Sequence, residues 1–426
     1  MTVTDEQLEA IVHGSAGKFL APRLADDLTA ETPVAAGGAQ LYTYEAGYYR
    51  PGAEQRLKAR IAATLGDEWR RNRQDETLGY LRASAPLLWE APPRDRLNLE
   101  NGILDLVDCR LEPHSPDFLS PVRIPVRYEP DATCPEVEEF LGEVLAPELA
   151  AVVYEIAGYL LTPDNRLQTA IMFLGEGANG KSVLLNVLTA LLGADNVANV
   201  PLHKLEEDRF AAAELYGRLV NVYADLDARA LQASSTFKAI TGGDRILAER
   251  KYADAFSFTP YARLLFSANE PPPSPDSSNA FFRRWLILRF EQRFDGRKAD
   301  RRLLERLTTP AELSGLLNKA IEALPRVRSR GSLLTTPATE KAAERFRVDS
   351  DSVAGFQADA CEVDLEAKIA KPQLFPAYVE WCTDNNRKPL SKQRFNRRLE
   401  ALNPALYVST IGGTEYWRGL ALRADS

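Results

Sequence analysis

The segment that most narrows what this chain can become is IMFLGEGANGKSVLLNVLTALLG, residues 171–193. Ile171 to Leu174 is a short apolar run of the kind a buried strand needs, and from Val183 onward the apolar spacing is that of a helix. Between them, Gly175-Glu176-Gly177-Ala178-Asn179-Gly180-Lys181-Ser182 fits GxxxxGK[ST]. In a strand, loop, helix setting, glycines let backbone N–H groups approach phosphates closely, and the helix amino terminus adds a favourable dipole. Gly175, Gly177, Ala178, Asn179 and Gly180 are therefore candidate nucleotide contacts. Lys181 would reach the β- and γ-phosphates of ATP, and the Ser182 hydroxyl would hold Mg2+. The bland alternative is a glycine-rich turn that ends by chance in Lys-Ser; the flanking strand and helix argue against it.

Kinases, GTPases and motors all use such a loop, so the residues that follow must decide. Further along, RLVNVYADLD (218–227) is an apolar strand ending in acids, with Asp225 forty-four residues beyond Lys181. Asp225 is the first candidate for the magnesium-directed carboxylate; Asp227 is second, as a metal partner or in polarising the attacking water. A solvated acidic turn is the alternative for both. YARLLFSANEPP (261–272) is another strand, ending at Asn269, which could hold the lytic water as a sensor or merely start a turn. In DSSNAFFRRWLILRF (276–290) an arginine pair precedes a strand. Arg284 is the preferred finger toward a neighbour's γ-phosphate and Arg283 a second nucleotide contact; an ordinary surface pair is the alternative. A small-molecule kinase would need an acceptor pocket, for which the sequence has no signature.

At 426 residues the chain exceeds one ordinary core. Pattern changes divide it into an α+β domain over 1–133, a helical collar over 134–165, an α/β ATPase core over 166–298, a helical lid over 299–349 and a basic domain over 350–426. In the first, LYTYEAGYYRPG (41–52) reads as a hairpin about Glu45-Ala46-Gly47, and residues 53–85 read as helical. LNLENGILDL (97–106) then carries Asn101-Gly102 as a turn signal. The formal net charge of −8 argues against a DNA-coating surface, yet residues 371–426 hold nine basic and five acidic side chains, so nucleic-acid contact should be local. Cys109, Cys134, Cys361 and Cys382 are widely spaced and only three histidines accompany them, so no zinc site is expected. The chain has no long apolar run and no leader-like amino terminus, so neither membrane attachment nor export is expected and the location is expected to be cytoplasmic.

Two places suit DNA. In DRILAERKYADAFSF (244–258), short strands flank Arg250-Lys251-Tyr252, a tip that could follow a phosphate backbone or be a plain solvated turn. The last block has the pattern of a winged helix: a helix over 372–384, a second over 391–402 with Ser391 as N-cap, and strands about Gly412-Gly413. Lys392, Arg394, Arg397 and Arg398 on the second helix could grip duplex phosphates, or the helix could serve packing.

In order, GEGANGKS, VYADLD, FKAITGGDRILAERKY, LLFSANEPP and DSSNAFFRRW resemble the successive motifs of the superfamily 3 helicases, in particular the helicase half of phage, plasmid and poxvirus primase-helicases. LYTYEAGYYRP and LNLENGILDL resemble the domain preceding the motor in that family. The resemblance implies a hexameric AAA+ ring with ATP at subunit interfaces and single-stranded DNA in the channel. Lys181 and Ser182 become the Walker A pair, Asp225 the Walker B acid, Asn269 the sensor and Arg284 the finger, while residues 237–252 match the motif whose hairpin enters the channel. Two departures stand out: the Walker B strand lacks the adjacent acidic pair of many relatives, and no primase domain fits before the motor. The expected activity is ATP-dependent unwinding of forked DNA in replication of a phage, plasmid or integrated element, with any primase or polymerase a separate partner. An origin initiator or loader that uses ATP as a switch is the rival.

Overall fold

The computed structural model describes residues 18–224, 234–251, 254–271, 276, 278–294, 302–385, 387 and 389–423. After α1 (Ala21–Glu31) come the antiparallel strands β1 (Val34–Gly37), β2 (Gln40–Glu45) and β3 (Tyr48–Arg50). Glu45 pairs with Tyr48 across Ala46-Gly47, the hairpin read from the sequence. The helical stretch over 53–85 is two helices, α2 (Ala53–Leu65) and α3 (Arg71–Ser84), separated by a 3-10 turn at Gly66–Glu68. Leu28, Leu57, Ile61 and Leu81 from the three helices close a core with Val34 and Leu41. A second antiparallel unit follows: β4 (Arg96–Leu99), β5 (Gly102–Asp105) and β6 (Leu111–Glu112). Leu99 pairs with Gly102, so the turn centres on Glu100-Asn101, one residue earlier than its sequence signal. The Asn101 amide is used elsewhere, accepting from Tyr128 N at 2.9 Å and donating to Tyr128 O at 3.1 Å.

Helices α4 (Pro135–Val144) and α5 (Leu149–Leu161) lead into β7 (Ala170–Leu174), α6 (Lys181–Leu192), β8 (Val197–Ala198), α7 (Leu202–Glu207), α8 (Arg209–Ala213) and β9 (Val220–Tyr223). Next come α9 (Ser235–Gly242), β10 (Ile246–Ala248), β11 (Phe256–Phe258), β12 (Arg263–Ala268), α10 (Asn279–Phe282) and β13 (Trp285–Arg289), then α11 (Leu303–Leu307), α12 (Pro310–Arg330) and α13 (Pro337–Ser350). Five strands form one parallel sheet in the order β13-β7-β12-β9-β8. Ile171 and Phe173 of β7 pack with Val152 and Ile156 of α5 and Leu188 of α6. Ala170, Met172 and Leu174 pack on the other face with Phe237, Phe281 and Phe346. Helices therefore cover both faces, which is why these strands are continuously apolar rather than alternating.

Helices of the collar and lid segments pack against one another. Ten of the thirteen residues of α5 are buried, so it needs helices around it as well as the sheet beneath. α12 supplies one, and Gly158 permits the approach: a Cβ there would sit 2.5 Å from the Ala320 carbonyl oxygen. Glu312 of α12 accepts from Val137 N of α4 at 3.0 Å, and the buried Glu155 of α5 pairs with Arg330.

Residues 350–423 carry their own core. α14 (Ser352–Ala360), β14 (Cys361–Glu362), β15 (Lys368–Ala370), α15 (Lys371–Asp384), α16 (Lys392–Leu402), β16 (Tyr407–Ile411), β17 (Thr414–Arg418) and β18 (Ala421–Leu422) enclose Phe356, Tyr378, Phe395 and Trp417. Ser391 precedes α16 but makes no side-chain cap bond. β16 and β17 turn at Gly412-Gly413, and β15 completes a three-stranded sheet. Among the described residues no helix is long and apolar enough to cross a membrane.

Candidate functional site

The phosphate loop lies at the carboxyl edge of the parallel sheet, where ligands bind in open α/β folds. β7 ends at the buried Leu174 and α6 begins at Lys181. Gly180 joins them at φ 90°, and a Cβ there would meet Val144 at 2.8 Å. Gly175 is as tightly held, since a Cβ would fall 2.3 Å from the Phe290 carbonyl oxygen. At the crown, Ala178 O accepts from Phe294 N at 2.7 Å, while Gly177, Ala178 and Ser182 stay exposed. The buried Asn179 donates to Phe290 O at 3.3 Å. The segment after β13 thus braces the loop from behind and leaves its outer face open.

Lys181 is 6% exposed, and its Nζ contacts Gly175 O, Asn179 Oδ1 at 3.2 Å and Asn269 Oδ1 at 3.5 Å. The last of these is a long-range result. β12 lies directly beside β7, Ala268 in register with Leu174, so the residue after β12 emerges next to the loop. Two motifs eighty-eight residues apart in sequence meet there. Magnesium-bound ATP fits this residue set: a loop with open space over Gly177, a lysine head within it and an exposed Ser182 in the first helical turn. Asp225 and Asp227 lie outside the described residues; β9, which leads to them, runs parallel to β12 and finishes at the same edge of the sheet.

Arg283 and Arg284 sit at the opposite end. Trp285 of β13 pairs with Ala170, the first residue of β7, so about 13 Å of strand separates the arginines from the loop of their own chain at ~3.3 Å per residue. Of the two, Arg284 was preferred from sequence, but the structure buries it: Nε donates to Thr241 Oγ1 at 3.1 Å and Nη1 to Ala280 O. Burial, then the charge of Arg283, lowers the pKa of Arg284. Arg283 is exposed and donates to Gln168 Oε1 at 2.8 Å, so of the pair it is Arg283 that faces solvent.

The DNA candidates also divide. β10 and β11 pair as the sequence suggested, Ile246 opposite Phe258. Lys251 is exposed, whereas Arg250 turns back and donates to Gly38 O at 3.1 Å. Tyr252 lies outside the described residues. Along α16, Lys392, Arg394 and Arg397 are exposed, but Arg398 is not available as a phosphate contact: its side chain is 11% exposed and pairs with the buried Asp351. The reason is helical spacing, since Arg398 follows the buried Phe395 by three residues and so lies beside it at the border of the apolar stripe.

A further cluster had no local signal in the sequence. Lys238 of α9 pairs with Asp276 at 2.6 Å, and Ser234 Oγ bonds the same carboxylate. Burial pushes the Asp276 carboxyl up, but bonds from Lys238, Ser234 and Ser278 outweigh it and hold the group below the usual carboxylate range. The clasp ties the helix before the hairpin to the segment after β12.

Three family descriptions match along the chain: "D5 N terminal like" over residues 20–146, a family of unknown function, DUF5906, over 173–284, and "Poxvirus D5 protein-like" over 348–417. The chain is 24% identical over 210 residues to "Putative helicase L207/L206" of Acanthamoeba polyphaga mimivirus, a match covering 46% of this chain and 22% of that protein. It is 24% identical over 217 residues to "Putative helicase 121R" of Invertebrate iridescent virus 3, covering 47% and 23%. These alignments thus span less than a quarter of the viral relatives' own length. Among solved structures, the A form apo structure of the NrS-1 C-terminal region has a similar fold, with a TM-score of 0.53 at 12% identity, covering 93% of this chain and 98% of that one. A second structure of that region, residues 305–718, gives a TM-score of 0.52 at 11% identity, with the same coverage. With D5-type matches toward both ends, distant viral relatives named as putative helicases and a likeness of fold over most of the chain, the chain resembles the D5-like primase-helicases and, with them, the superfamily 3 helicases.

Proposed function

We propose that this chain is the ATP-driven motor of a replicative DNA helicase, moving on single-stranded DNA and opening duplex at a fork. The observation that carries the reading is the meeting of Lys181 with Asn269, Nζ to Oδ1 at 3.5 Å, on adjacent parallel strands. A magnesium-nucleotide held there supplies the phosphoryl group for hydrolysis. Lys181 would counter the charge that builds on that group, and Asn269 would orient the attacking water. Ser182 and Asp225 would hold Mg2+, and Asp227 would either partner the metal or polarise the attacking water. The β12 strand lying between β7 and β9 supports an AAA+ arrangement of the core.

The same reading makes the assembly a hexameric ring with nucleotide at subunit interfaces. Its support is that the arginine pair lies too far from the phosphate loop of its own chain, while Arg283 is exposed at the surface, where a neighbouring subunit could receive it. An arginine so supplied accelerates phosphoryl transfer by about 10³ to 10⁵ in known cases. Residues 350–426 would act as a winged helix, with Lys392, Arg394 and Arg397 on duplex phosphates. A separate primase or polymerase would complete the machinery. The test is ATP turnover with and without single-stranded DNA: the wild-type chain should hydrolyse faster with DNA present, and Lys181→Ala should not hydrolyse in either condition. Turnover indifferent to DNA would count against a translocase.

A further inference from the structure

The β10–β11 hairpin pairs over three residues on each strand, and a two-stranded hairpin that short is marginal alone, so its direction must come from what it rests on. It rests on the N-terminal module at both root and tip. At the root, Glu90 Oε1 accepts from Thr259 N at 3.2 Å and pairs with Arg245 Nη1 at 3.4 Å, so one carboxylate gathers the outer ends of both strands. Toward the tip, Arg250 lies over the Phe256 ring at 5.7 Å, donates through Nε to Gly38 O at 3.1 Å and brings Nη2 to 3.5 Å from Ala213 O. Gly38 belongs to the turn between β1 and β2, and that turn is seated on Tyr216: a Cβ on Gly38 would come 2.7 Å from the ring. The same ring meets Phe256 and Phe258 edge-on at 5.5 and 5.3 Å. One aromatic side chain therefore touches both the turn and the hairpin, and Arg250 bridges the two above it.

We propose that Arg250 is a positioning residue, which seats the hairpin on the β1–β2 turn and so fixes where the neighbouring Lys251 meets the phosphate backbone of single-stranded DNA. A guanidinium stacked on Phe256 and bonded to two carbonyls must release them to reach a phosphate, whereas the exposed lysine carries its charge on a free stem. The DNA half of this inference rests on the translocase reading; the seat itself does not.

The experiment compares full-length Arg250→Ala, Arg250→Lys and Lys251→Ala by amide hydrogen exchange and by the salt dependence of oligothymidine binding. Arg250→Ala should speed exchange in residues 34–45 and 246–258 together, on the order of tenfold, and leave the salt slope at its wild-type value. Arg250→Lys, which keeps a donor, should recover most of that protection. Lys251→Ala should leave exchange alone and lower the slope by about 0.7, the value of one lost phosphate contact on a single strand. A lowered slope with unchanged exchange in Arg250→Ala would make Arg250 a phosphate contact and overturn the proposal. Faster exchange spread through every module would overturn it too, as general destabilisation. An unchanged slope in Lys251→Ala would overturn the DNA half together with the hairpin's part in the translocase reading, while the exchange measurement, which needs no DNA, still decides the seat.

Discussion

Replacing Asp351 with alanine should loosen the C-terminal module and leave the parallel sheet intact. One Asp351 oxygen accepts from Val353 N at 3.0 Å and Ala354 N at 3.3 Å, capping α14; the other pairs with Arg398 of α16. The two side chains are 2% and 11% exposed, so the alanine variant leaves a guanidinium out of water with no carboxylate. Breaking such a pair from one side costs about 3–5 kcal/mol, and loss of a cap about 1 kcal/mol that overlaps with it. A module of this size is stable by about 4–11 kcal/mol at 0.05–0.15 kcal/mol per residue, so the change removes a large share. Native-state hydrogen exchange over residues 352–423 reads the loss directly. Arg398→Met is the control: Asp351 keeps its two amide donors, so the cost should be smaller, and Asp351→Ala with Arg398→Met should recover part of what Asp351→Ala loses. A loss below about 1 kcal/mol in Asp351→Ala, or a double variant no better than the sum of the singles, would show that the pair does not hold α14 to α16.

Other expectations follow from the same geometry. Arg283→Ala should abolish turnover yet regain some when mixed with Lys181→Ala, because certain interfaces then pair an intact loop with an intact arginine; confirmed co-assembly with no recovery at any ratio would count against shared sites. Ending the chain at Ser350 should flatten the salt dependence of duplex binding by up to about 2.7 in slope, at ~0.9 for each of Lys392, Arg394 and Arg397, and identical slopes would assign α16 to packing. Iodoacetamide at mild alkaline pH should modify the exposed Cys109 first, because burial pushes the thiols of Cys134 and Cys361 up to about 12 and little thiolate forms there, as peptide mapping would show. Asp276→Asn should be as disruptive to hairpin protection near pH 5 as at pH 7: a carboxyl held below its usual range keeps its stabilising charge until the pH falls through the lowered value.

Local spacing made much of this architecture legible. The strand, loop and helix around Lys181, the hairpin at Ala46-Gly47 and the helices and strands after residue 370 all depend on near neighbours in sequence. Side-chain direction was less so. Nothing in the Arg283-Arg284 pair says which faces solvent at the turn between α10 and β13; packing against Thr241, forty-three residues earlier, decides it. Arg250 and Lys251 are both candidates in the sequence; only the β1–β2 turn, more than two hundred residues away, shows that one of them has an acceptor within the protein. Arg398 is the instructive case, because the information was present: it falls three residues after Phe395, at the border of the apolar stripe of α16. Reading the helix as four basic residues obscured that stripe. The packing of α4, α5 and α12 against one another was illegible for a different reason, since a helix that is apolar on nearly every side announces burial without naming its partners.

Hydrolysis at Lys181 should move the protein along DNA. Strand displacement on a forked duplex, followed in real time with ATP and Mg2+, tests it most directly. The wild-type chain should displace the strand only with hydrolysable nucleotide, and Lys181→Ala should bind the fork without opening it. A wild-type chain that binds the fork and hydrolyses ATP while the strands stay paired would rule out a translocase and leave the site as a switch.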